Sequence, residues 1–152
     1  MAGITSALCT SFKVELLEGD HDFNNGADAY KVALLKANAS ITGTYDATTT
    51  NYSNVTGNSD ELPNGSGYTT GGYALTNVNP TSSGTTAFTD FSANAAWSSA
   101  TFTTRGCIIY NTSDGHSAVA VINFGADYSV SGGTFEIQWP TADSSNAIIR
   151  IA

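Results

Sequence analysis

Charge is what this chain has least of. Asp, Glu, Lys and Arg make up 12% of its 152 residues, about half the share of an ordinary soluble domain. The five cations, Lys13, Lys31, Lys36, Arg105 and Arg150, stand against thirteen acids, for a net charge of −8. They form no cluster. Without clustered Lys and Arg there is nothing to neutralise phosphates, which argues against nucleic acid and anionic membrane as partners. Cysteine is limited to Cys9 and Cys107, each in an apolar context and without metal-ligand spacing; two buried thiols is the reading, with a single bridge between them the alternative. No apolar run approaches the ~20 residues of a membrane-spanning helix. The opening Met1-Ala2-Gly3-Ile4-Thr5 has neither a basic segment nor a long apolar one, which predicts no secretory leader and synthesis in the cytoplasm. Catalytic signatures are missing too: there is no Gly-X-Ser-X-Gly, no His-Glu-X-X-His and no phosphate loop. The expectation is a protein that is not an enzyme, with no catalytic residues and no cofactor.

What the chain does have is Thr, Ser, Asn, Gly and Ala in abundance, with aromatics at 11%. Thr, Tyr and Phe favour strands, and Gly, Asn and Ser favour turns. A single domain spanning 1–152 follows from the length, large enough to bury about 68–70% of its unfolded surface. Trp97 to Phe124 holds the two most apolar strand candidates, Cys107-Ile108-Ile109-Tyr110 and Ala118 to Phe124. Asn111-Thr112-Ser113-Asp114-Gly115 between them is turn chemistry, so the stretch reads as a β-hairpin buried on both faces. Further strands are expected at Ala29 to Leu35, Tyr73 to Val78, Ala87 to Phe91, Trp97 to Thr104, Thr134 to Trp139 and Ala147 to Ile151, with Ala126 to Gly133 as a turn. Together these predict an all-β fold, an antiparallel β-sandwich with one N-terminal amphipathic helix.

That helix is expected over 1–19. Ile4, Leu8, Phe12 and Leu16 recur at every fourth position, Thr5 or Ser6 could cap the start, and Gly19 should end it. Residues 36–72 change character, with isolated Ile41, Tyr45, Tyr52, Val55, Leu62 and Tyr68 among Ala, Ser, Thr, Asn and Gly. They read as a long polar surface excursion with one short helix or turn near Thr48 to Asn54. Leu8, Phe12 and Leu16 on the helix and Tyr45, Tyr52 and Tyr68 on the excursion are therefore the candidate interaction residues.

Other motifs carry less. Asp20-X-Asp22-X-Asn24 opens like a calcium loop, but Asn25 stands where the tight turn needs Gly and Lys31 where the bidentate Glu belongs, so an Asx-rich turn and no metal is expected. His21 and His116 lie beside acids and read as exposed turn histidines. Tyr68, Tyr73, Trp97, Tyr110, Tyr128 and Trp139 could form a carbohydrate-stacking face, though packing is the plainer account.

Several segments in order resemble a known family. They are Met1 to Lys13 (MAGITSALCTSFK), Tyr30-Lys31-Val32-Ala33-Leu34-Leu35, Gly67-Tyr68-Thr69-Thr70-Gly71-Gly72, Trp97-Ser98-Ser99-Ala100-Thr101, Arg105 to Asn111 (RGCIIYN) and Ala118 to Gly125 (AVAVINFG). Their order and spacing resemble a family of small β-rich virion structural proteins of tailed bacteriophages, almost end to end. The resemblance implies a structural component made in the host cytoplasm, with no shared catalytic site to carry over. Such proteins coat the capsid exterior as decoration or cement proteins, or belong to the tail and its fibres. A compact acidic domain without repeats suits decoration, with the major capsid protein and copies of itself, as a homo-trimer, for partners. The alternative is a tail or tail-fibre module binding host surface carbohydrate.

Overall fold

The structure, a computed structural model, describes residues 2–152. It is a mostly-β fold, 46% strand and 11% helix, built almost entirely from antiparallel pairs. In chain order the elements are β1 (Gly3–Ile4), β2 (Ala7–Leu8), α1 (Thr10–Glu18), β3 (Tyr30–Lys36), β4 (Thr44–Tyr45), α2 (Ser53–Gly57), β5 (Tyr73–Ala74), β6 (Thr81–Ser83), β7 (Thr86–Thr89), β8 (Ala95–Asn111), β9 (Ser117–Ile137) and β10 (Ile149–Ile151).

The hairpin expected at the centre is there, and longer than its apolar run suggested. β8 and β9 pair along nearly their whole lengths, with Cys107 opposite Ile122 and Ile109 opposite Ala120. They lie inside a five-stranded sheet of order β2-β9-β8-β3-β5. β3 pairs with β8 along its length, its other edge meeting β5 at Lys31 and Val32 and the Asp60–Leu62 backbone beyond, and Val32 to Leu35, fully buried, is continuously apolar. A three-stranded sheet, β10-β7-β6, and the short parallel pair β1-β4 complete the strands.

Three expectations are corrected. Residues 126–133 are not a turn but part of β9; Gly125 and Gly132, both at positive φ, serve bulges within the strand. Thr104 pairs with Tyr128 and Gly106 with Asn123, so β9 carries three extra residues there and bends. The helix does not start near Thr5. Ile4 and Leu8 lie in β1 and β2, and the helix begins at Thr10, after Cys9 has given its N–H to Val119 and Thr10 its own to Ala47. A spacing of four residues is also two strand periods, so Ile4 and Leu8 fit one strand face as well as a helix. The helix does end as expected, with Gly19 left-handed at φ 88°.

The third correction concerns 36–72. This segment is no surface excursion: Ile41, Tyr45, Val55, Leu62 and Tyr68 are all core residues. The adjacent acids Asp60 and Glu61 pin it. Asp60 accepts hydrogen bonds from the Thr42 N–H (3.0 Å), the Gly43 N–H (2.7 Å) and the Tyr45 hydroxyl (2.7 Å). Glu61 accepts from the Tyr52 hydroxyl, from the Tyr68 hydroxyl (2.7 Å) and from the Gly71 N–H (2.7 Å). Buried carboxylates are tolerated only when satisfied in this way. Burial works to raise the Asp60 pKa, but the donors from Tyr45, Gly43 and Thr42 outweigh it and hold the carboxyl below the usual aspartate range.

Candidate interaction surface

α1 presents two apolar sides. Its inner side carries Phe12, buried and in edge contact with the His21 ring at 4.9 Å, and the half-buried Leu16. Its outer side carries Lys13, Val14 and Leu17, with Leu17 three residues beyond Val14 and four beyond Lys13. Leu17 is 89% exposed and Val14 52%. A surface helix normally keeps that side polar. Beside it, Leu8, Leu16 and Leu17 with Ile149 and Ile151 line an apolar cavity of about 270 Å³ edged by Lys13 and Arg150.

A second apolar surface lies on the hairpin. β2 covers the outer edge of β9 only at Ala120 and Val121, and Ser6 and Ile4 bond Asn123 just beyond. From Phe124 onward no strand among the described residues pairs that edge. The bulge at 124–127 lifts the strand, and Phe124, Tyr128, Phe135 and Ile137, with Glu136 and Gln138, enclose an open cavity of about 280 Å³. Phe124 contacts Tyr128 and Phe135 edge-on or tilted, and Phe135 contacts Phe102, so the patch is continuous with the core aromatics. Tyr128 is 51% exposed. The Asp127 carboxylate, which accepts from the Asn38 N–H at 2.9 Å and lies 3.9 Å from Arg105, anchors the bulge.

The residues expected to make contacts fall elsewhere. Tyr45, Tyr68 and Phe12 are buried, which removes them from any exterior face, and Tyr52 stacks on Tyr110 with ring centroids 4.2 Å apart. Leu8 and Leu16 are partly buried and contribute only to the wall of the cavity beside α1. The exposed apolar side chains of α1 are instead Leu17, which with Cys9 widens the expected stripe, and Val14, which lies outside it. Of the six aromatics considered for a stacking face, only Tyr128 stands among the exposed large side chains. The hairpin patch does not follow from the sequence reading because Ala126 to Gly133, taken as a turn, separates Phe124 from the strand carrying Phe135 and Ile137, whereas β9 runs through unbroken.

His21 is buried, not an exposed turn residue, whereas His116 is exposed. With Glu15 and Asp114, His21 forms a cluster whose oxygen and nitrogen atoms lie within 4.8 Å of one another, close enough to suggest a metal site. The hydrogen bonds decide otherwise. Asn111 Oδ1 accepts from the N–H groups of Ser113 and Asp114, which turns its Nδ2 toward Asp28 (2.9 Å) and His21 Nδ1 (3.1 Å). Nδ1 must therefore accept, and the ring proton sits on Nε2, donated to Glu15 at 2.9 Å. A metal on Nε2 would move that proton to Nδ1, against the Asn111 amide hydrogens. The cluster is a brace tying α1 to the turn of the hairpin. In the Asp20–Asn24 segment, likewise, Asp22 Oδ1 accepts from the backbone and side chain of Asn24, an Asx turn.

Both cysteines are buried and free. Burial, with Glu15 and Asp46 nearby, pushes the Cys9 thiol up to about 12, and burial alone raises that of Cys107. No helix among the described residues is long and apolar enough to cross a membrane. No family model, curated protein sequence or solved structure matches this chain.

Proposed function

We propose that the chain is a virion structural protein of a tailed bacteriophage, a decoration protein bound to the exterior of the head. The observation that carries the reading is a pair of apolar surfaces, the exposed Val14 and Leu17 on α1 and the open cavity on the hairpin lined by exposed Tyr128 and half-buried Phe124, Phe135 and Ile137, on an acidic protein. Exposed apolar groups gathered into patches mark contact with other proteins, and the motif order described above resembles phage structural proteins. On this reading the partners are the major capsid protein and further copies of the chain in a homo-trimer, and the protein is not an enzyme. On the same reading the architecture is an antiparallel β-sandwich.

The acidic surface suits the outside of a head, since packaged DNA would repel it. Quantitative mass spectrometry of purified virions tests the proposal. Copies in the hundreds, comparable to the major capsid protein, are expected. A few tens or fewer would place the chain in the tail or its fibres.

A further inference from the structure

We propose that copies of this chain dock head to tail, the outer face of α1 of one copy seating Val14 and Leu17 in the hairpin cavity of the next. The inference rests on the self-association in the reading above and names the two surfaces that make it. A short surface helix that is apolar on its outside as well as its inside is built to be covered on both. Leu17 and Val14 project from α1, while the space enclosed by Phe124, Tyr128, Phe135 and Ile137 is concave. At about 280 Å³ it lies at the lower limit of the roughly 300–1,000 Å³ of small-molecule sites and has room for aliphatic side chains.

Charge selects a second copy as the occupant. Two molecules of net charge −8 repel, so a contact between them needs opposite charges at its rim. Lys13, one of only five cations, sits beside Val14 and one turn from Leu17. Glu136 stands on the rim of the cavity and is met there only by the amides of Asn94 and Gln138. Neither Lys13 nor Glu136 forms an ion pair within the chain among the described residues. On β8 the partners of Ala120 and Tyr128, Ile109 and Thr104, stand five residues apart, so about 17 Å of strand at ~3.3 Å per residue separates the β2 crossing from Tyr128, and no residue of α1 lines the cavity. Knob and cavity are therefore separate patches, every copy carries one of each, and the contact is heterologous, closing into a ring when the rotation allows.

Sedimentation equilibrium over a range of concentrations tests this on the wild-type chain, Leu17→Asp, Lys13→Glu, Glu136→Lys and the double reversal. All three positions are exposed, so the variants keep the fold, and circular dichroism checks it. The wild type should associate. Leu17→Asp should weaken association at least about tenfold, because a carboxylate would enter an apolar cavity. Each single reversal should weaken it by up to about fivefold, and the double reversal should restore it. A wild type that stays monomeric at its highest soluble concentration overturns the docking, as does an oligomer indifferent to Leu17→Asp. An indifferent oligomer leaves the decoration proposal standing, since that falls only on copy number; a low copy number with a Leu17-dependent oligomer does the reverse.

Discussion

Asp60 is nearly inaccessible and yet ionised, held by donors that exist only in the folded chain. Asp60→Asn removes one acceptor from that set and should cost about 1–3 kcal/mol, read as a lower urea midpoint at pH 7. The pH dependence follows from the direction of the shift. Because the folded carboxyl titrates below the ordinary value of about 3.9, its stabilisation is complete above that value and is lost as the pH falls through the folded one. The urea midpoints of wild type and Asp60→Asn should therefore converge below about pH 4. Gly72 makes a different kind of demand. Its φ is +80°, and a Cβ there would lie 1.9 Å from the Val32 carbonyl oxygen, so Gly72→Ala should destabilise by roughly 2–4 kcal/mol. None of this was legible as burial in the sequence. Tyr45, Tyr52 and Tyr68 read as isolated surface aromatics because the acids that satisfy their hydroxyls, Asp60 and Glu61, sit in the same polar stretch, which has no apolar run to mark burial. The clue was the adjacent pair Asp60-Glu61 in a chain with so few charges.

Among the elements, α1 separates a core contact from a surface one within six residues. Phe12→Asp places an unpaired charge among Phe23, His21 and the sheet and should cost about 4 kcal/mol or prevent folding. Leu17→Asp should leave the monomer within about 0.5 kcal/mol of wild type in thermal or urea unfolding. The end of α1 was readable because Gly19 is punctuation with a mechanism, whereas its start depended on Val119 and Ala47, far away in sequence. The hairpin shows the same division. Its buried half announced itself through Cys107 to Tyr110 and Ala118 to Phe124. Its outer half carries Gly125 and Gly132, and a glycine at positive φ serves a bulge as readily as a turn. Cys107 lies in the buried half and Cys9 against it, so neither thiol should react with a thiol reagent in the native protein faster than the chain opens.

At the scale of the whole molecule, the low charge content and the excess of acids set the solution behaviour. With a sequence pI of about 4.3, repulsion between molecules fades in the same acidic range in which Asp60 begins to lose its contribution. Turbidity should rise on acidification toward that pH and be lowest near neutrality. The all-β class and the central hairpin were legible from composition and apolar runs, because both follow from local chemistry. The sheet order was not, since it depends on which distant edges find each other. That order also governs how the polypeptide can be made. β9 lies between β2, at the start of the chain, and β8, so until Ser117 to Val121 has been synthesised, Ala7 and Leu8 have no partner and Cys107 to Tyr110 has a bare edge. The central sheet therefore completes only once β9 has been translated, through pairings that are slow because they are distant. The interval between synthesis and folding is the stage at which this protein is most exposed to aggregation.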